Sequence, residues 1–104
     1  MIKIRLICAM GMSTSMVVQK MREAADQLGL KADIAAQSET AFEEQGETVD
    51  LLLLGPQIGH LLAPLQERYR DAGFPIAVID LMDYGMLNGE KILKDGLALI
   101  EEAK

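Results

Sequence analysis

The chain has 104 residues, a length suited to one domain and too short for two. Ten basic against sixteen acidic residues give a net charge of −6, which offers a phosphodiester backbone no footprint, so nucleic acid is not an expected partner. One cysteine forbids an internal disulfide and, with one histidine, is too few for a zinc cage, so neither metal nor cofactor is implied and a reducing, cytoplasmic setting is expected. The longest unbroken apolar run, Leu6 to Met10, has five residues, against the roughly 20 that a spanning helix needs. Lys3 and Arg5 also interrupt any signal-like stretch, so no membrane insertion is expected.

Strand and helix patterns alternate along the chain. Ile2 to Cys8 alternates and then turns wholly apolar, as a strand entering a covered sheet does. Ala9 to Met12 reads as a turn around Gly11. A helix is expected from about Thr14 to Leu28, with Met16, Val17, Met21, Ala24, Ala25 and Leu28 on its buried face and Gly29 closing it. Ala32 to Gln37 reads as an alanine-rich strand, and Ser38 as the cap of a short helix ending at Gln45 before Gly46. Asp50 to Leu54 reads as a buried strand, stopped by Gly55-Pro56. The following helical stretch carries Ile58, Leu61, Leu62, Leu65 and Tyr69 on one face, and Pro64 predicts a kink or a restart within it, with Gly73 at its end. Pro75 to Asp80 is the fourth strand, Leu81 to Asn88 a loop, and Asn88 the cap of a last helix burying Ile92, Leu93, Leu97 and Ile100.

Such βα alternation predicts an α/β, flavodoxin-like three-layer sandwich: a four-stranded parallel sheet in the order 2-1-3-4, helices on both faces, in one domain over residues 1–104. Ligands of such sheets gather at the carboxyl ends of the strands. That edge collects 8–15, 37–38, 55–59 and 80–85.

Cys8 ends the first strand, and Ala9, Met10, Gly11, Met12, Ser13, Thr14 and Ser15 lead into the helix. Peptide N–H groups at such a turn form a cradle for a tetrahedral oxyanion, and the helix start adds partial positive charge. The same donors favour a thiolate on Cys8 and make it nucleophilic. Ser13, Thr14 and Ser15 add hydroxyl donors. No lysine or arginine lies between Arg5 and Lys20, so the loop works with neutral dipoles.

The run Cys8-Ala9-Met10-Gly11-Met12-Ser13-Thr14-Ser15, with Met21, Gly55-Pro56-Gln57-Ile58, Val78-Ile79-Asp80 and Tyr84-Gly85, resembles the lactose/cellobiose-type enzyme IIB subunits of the bacterial phosphoenolpyruvate-dependent sugar phosphotransferase system. The likeness spans essentially the whole chain, and C-x-x-G-M-S-T-S together with G-P-Q-I is highly specific. It implies a phosphocysteine at Cys8 and a phosphate loop over Ala9 to Ser15. It also implies a phosphohistidine on enzyme IIA as donor and, as acceptor, a cellobiose-, chitobiose- or lactose-type sugar imported by the membrane subunit IIC. A transiently docking monomer is expected. Met10 stands where a small residue, typically alanine, is expected.

Other readings exist. A low-molecular-weight tyrosine phosphatase also places a cysteine loop between a first strand and a helix, but its C-x5-R-[ST] signature needs arginine where this chain has Thr14. Arsenate reduction needs further cysteines. A phosphorylation-dependent regulatory docking module shares the surface and stays open. Walker and dinucleotide fingerprints are missing.

Gly55, Pro56, Gln57, Asp80 and Tyr84 are expected at the same edge, as loop support or partner contacts, with Asp80 bonding loop amides and Asp83 solvated. His60 reads as a helix-surface residue and not a phosphoryl relay. Met10, Met12, Met82 and Met86 are candidates for a flexible docking surface, whereas Met16 and Met21 fit the core. Glu39, Glu43, Glu44 and Glu47 read as a solvated face.

Overall fold

A computed structural model describes residues 1–8, 12–46 and 48–104, with Met12 and Ser13 described by their backbone. Four strands, β1 (Ile2–Ile7), β2 (Ala32–Gln37), β3 (Leu51–Leu54) and β4 (Ile76–Val78), form a parallel sheet in the order β2-β1-β3-β4. The helices are α1 (Met12–Gln27), α2 (Glu39–Gln45), α3 (Leu62–Arg68), α4 (Leu81–Gly85) and α5 (Gly89–Ala103), with 3-10 turns over Pro56–Leu61 and Arg70–Ala72. The predicted fold class and strand order are observed.

The two-residue period of a strand divides the core in two. In β3, Leu51 and Leu53 join a cluster with Ile4 and Leu6 of β1, Val17 and Met21 of α1, and Ile92 and Leu93 of α5. Leu52 and Leu54 face the other way, among Ile7, Phe42 of α2, Ile58, Leu65 of α3 and Ile76. A leucine run is what a strand covered on both faces requires, and each such side chain contributes about 1.5–3 kcal/mol through burial. Among the described residues no helix is long and apolar enough to cross a membrane.

Local departures from the sequence reading have physical causes. The first helix starts at Met12, not near Thr14, and ends at Gln27. Met16 and Leu28 are about half exposed, and Val18 is buried instead. The break in the third helical stretch falls at Ile58 (φ −118°, ψ 28°) and at the passage from 3-10 to α-helix after Leu61, not at Pro64. Pro64 lies in the first turn of α3, where its missing N–H costs nothing. Strand β4 is shorter than Pro75–Asp80. The segment after it is not loop throughout: Asp80 accepts a hydrogen bond from the Asp83 N–H and starts α4. Asn88 caps α5 through the Lys91 N–H.

Candidate functional site

The register of the ladders aligns Gln37, Ile7, Leu54 and Val78 across the sheet as one rung. The residues that follow, Cys8, Ser38, Gly55 and Ile79, therefore leave the sheet along one edge. Backbone hydrogen bonds continue one step past the strands: Cys8 N–H donates to the Gln37 carbonyl (3.3 Å), Gly55 N–H to the Ile7 carbonyl (3.0 Å) and Ile79 N–H to the Leu54 carbonyl (2.9 Å). The backbone of Cys8 is thus tied to the end of β2, and that of Ile7 before it to Gly55 after β3, while Cys8 stays partly exposed.

Of the expected phosphate loop, Ala9, Met10 and Gly11 lie outside the described residues. The backbones of Met12 and Ser13 open α1. Thr14 is buried, and its Oγ1 lies 2.9 Å from the Tyr84 Oη, which is buried too. Ser15 is exposed. Gly55 sits where a Cβ would come within 3.0 Å of the Gln57 Oε1, so a side chain there would displace Gln57. Pro56 then begins the 3-10 turn, in which Gln57 and His60 are exposed.

Asp80 lies exposed at the start of α4. Asp83, expected in solvent, is only 8% exposed and receives the Lys91 Nζ at 3.0 Å; its backbone carbonyl accepts from Asn88 N–H (2.9 Å). The ammonium of Lys91 also reaches Asp95 at 2.8 Å, and these two carboxylates hold its protonated form well above the ordinary lysine range. Met82 and Met86 are about 70% exposed beside this edge. The side chain of Met12, and all of Met10 and Glu47, lie outside the described residues, so the methionine grouping is seen only in part. Glu43 is not purely solvated, because it pairs with Arg68.

Gln37, expected on this edge, has partners that the sequence does not specify. Its carbonyl anchors Cys8, its Nε2 donates to the Gln45 Oε1 (2.6 Å), and its own Oε1 is buried without a hydrogen-bond partner among the described residues. At the other pole, a cleft of about 280 Å³ between Phe42, Tyr69 and Phe74 carries Glu43, a poor lining for an anion.

The family model for the lactose/cellobiose-specific IIB subunit of the phosphotransferase system matches residues 3–95. The chain belongs to this IIB family. It is 39% identical over 98 residues to the oligo-beta-mannoside-specific EIIB component of Bacillus subtilis, covering 94% of this chain and 95% of that one. It is equally, 39%, identical over 95 residues to the galactose-specific EIIB component of Lactococcus lactis subsp. cremoris, covering 86% and 88%. In three dimensions it matches the solution structure of the cellobiose-specific IIB component from Borrelia burgdorferi with a TM-score of 0.80 and 36% identity, over 99% of this chain and 94% of that one. IIB subunits are the sugar-specific phosphotransferase components of this system. Relatives of equal identity carry different sugars in their names, so the degree of likeness does not assign a sugar to this IIB chain.

Proposed function

We propose that this IIB subunit is a phosphoryl carrier in which Cys8 receives the group from a phosphohistidine of enzyme IIA and yields it to a sugar brought in by IIC. The Cys8 Sγ attacks phosphorus, the P–N bond breaks, and its electron pair returns to the imidazole ring. In the second step a sugar hydroxyl oxygen attacks the same phosphorus, the P–S electron pair returns to Sγ as thiolate, and the hydroxyl proton passes to solvent. Phosphoryl transfer of this kind needs positioning and charge stabilisation more than covalent help from other side chains. Peptide N–H groups of 9–15, with the hydroxyls of Ser13 and Ser15, supply that stabilisation, the Thr14 hydroxyl being turned to Tyr84, while Gly55, Pro56, Gln57 and Asp80 border the same edge. The chain acts as one unit over residues 1–104, as a monomer in the cytoplasm docking each partner in turn, and the acceptor is a β-linked disaccharide or related glycoside.

The observation that carries this reading is the partly exposed Cys8 at the end of the inner strand β1, four residues before α1 begins at Met12. A carrier must hold its phosphoryl group without hydrolysing it. The phosphatase arrangement places an arginine six residues after the cysteine; here that residue is Thr14, buried against Tyr84. A neutral residue there fits carriage better than hydrolysis. Cys8→Ser is expected to abolish labelling by phosphorylated IIA, whereas His60→Gln, on the exposed turn, leaves it intact. Undiminished label on the serine variant would refute the assignment.

A further inference from the structure

We propose that Tyr84 is a positioning residue of the phosphoryl loop: through Thr14, its hydroxyl fixes the first turn of α1 relative to the fourth-strand edge. The inference rests on the carrier reading and adds a part to its machinery. The two hydroxyls stand 2.9 Å apart although 70 residues separate them in sequence. Both residues are buried, Thr14 at 1% and Tyr84 at 6% exposure, and Tyr84 belongs to the apolar cluster that includes Val17, Val18 and Ile79.

Stability alone does not call for this pair. A valine opposite a phenylalanine fills the same space, and replacing both partners of a buried hydrogen bond by apolar groups of like shape is close to neutral. What the hydroxyls add is direction: the bond forms over a narrow range of distance and angle, whereas apolar packing tolerates sliding and rotation. The direction falls where it matters, because Thr14 lies six residues after Cys8 and within the helix turn that ends the loop.

Tyr84 is itself immobilised. Its N–H donates to the Asp80 carbonyl (2.9 Å), Asp80 caps the Asp83 N–H (3.1 Å), and Asp83 is tied to Lys91 of α5 (3.0 Å). Helix α5 in turn lies against α1 at Gly89, where a Cβ would stand 2.4 Å from the Lys20 carbonyl carbon. The chain of contacts closes on itself: α1 to Tyr84, α4 to α5, and α5 back to α1. A donor set aimed in advance at a phosphoryl group spends no free energy reorganising during transfer, and small misplacement is expensive in rate.

The test measures phosphorylation of Cys8 by phosphorylated IIA in Tyr84→Phe, Thr14→Val, the double variant and Thr14→Ser, with kcat and KM for the donor separated. Tyr84→Phe and Thr14→Val are each expected to lower kcat roughly tenfold with KM for IIA unchanged. The double variant is expected to be no slower than either single one, since the second change has no bond left to break. Thr14→Ser restores the hydroxyl and most of the rate, which separates positioning from loss of fold. A wild-type kcat in Tyr84→Phe overturns the proposal, as does a rise in KM alone, which marks a partner contact, or a Thr14→Ser variant as slow as Thr14→Val. A wild-type chain that takes no label sinks the carrier reading itself, whereas normal labelling with an unaffected Tyr84→Phe sinks only this inference.

Discussion

Arg5 shows how a charged residue survives inside a sheet. Its side chain is only 7% exposed, yet its guanidinium finds oxygens in every direction that matters. Nη1 donates to the carbonyls of Ile4 (3.1 Å) and Asp33 (3.0 Å), and the two Nη atoms meet the two carboxylate oxygens of Asp33 at 3.2 and 3.1 Å. That two-pronged contact holds the Asp33 carboxyl below its ordinary value of 3.8, chiefly through the hydrogen bond to Arg5 and against the cost of burial. A carboxylate with a lowered value in the folded state contributes stability that is complete above the unfolded value and fades as pH falls through the folded one. Asp33 is 39% exposed, so solvent screening holds the contribution to about 1 kcal/mol. Asp33→Asn is therefore expected to unfold at lower urea than the parent at pH 7, and the gap is expected to close below about pH 3.8. A gap independent of pH would place the effect in packing instead of charge. Lys91 has the opposite sign: its raised value contributes wherever lysine is protonated and is lost only at strongly alkaline pH.

At the scale of elements, legibility followed how far each pattern could be repeated. The leucines of β3 and the Ile92, Leu93, Leu97, Ile100 stripe of α5 are long enough to announce their period. Helix α4 is five residues long and leaves Leu81 and Met82 in solvent, so it has no period to show; the Asp80-x-x-Asp83 cap was its only signal. Leu87, which joins α4 to α5 with φ 55°, holds a conformation usually left to glycine or asparagine, and its residue type conceals the turn. Met16 was misplaced because methionine is read as apolar wherever it stands, although α1 buries Val17 and Val18 beside it. Two glycines of α5 separate what sequence propensity says from what packing demands. A Cβ at Gly89 would meet the backbone of Lys20 and Met21 at 2.4 and 2.5 Å, whereas one at Gly96 would meet only the Leu51 Cδ2 at 2.7 Å. Backbone cannot withdraw and a leucine methyl can. Gly89→Ala is expected to cost about 2 kcal/mol by overpacking. For Gly96→Ala the gain of up to about 1 kcal/mol in helix propensity offsets most of the strain. Urea midpoints for the pair check this, and equal losses would contradict the steric account.

The molecule as a whole separates support from chemistry. Its two apolar clusters flank the sheet, and its aromatic group, Phe42, Tyr69 and Phe74, packs away from the thiol. Cys8 and the starts of α1, the Gly55 turn and α4 share the opposite edge. Cys8 and the strand ends could be placed from sequence because a parallel sheet fixes where its loops emerge. The Thr14–Tyr84 contact could not, since it depends on side chains brought together across the fold. Whether the thiol of Cys8 carries the phosphoryl group is decided by mapping that group with mass spectrometry. After incubation of the intact chain with phosphorylated IIA, one added phosphoryl group is expected on the peptide containing Cys8, discharged when IIC membranes and a panel of cellobiose-, chitobiose- and lactose-type sugars are supplied. A phosphoryl group on His60 or any other residue, or none at all, would contradict carriage by Cys8.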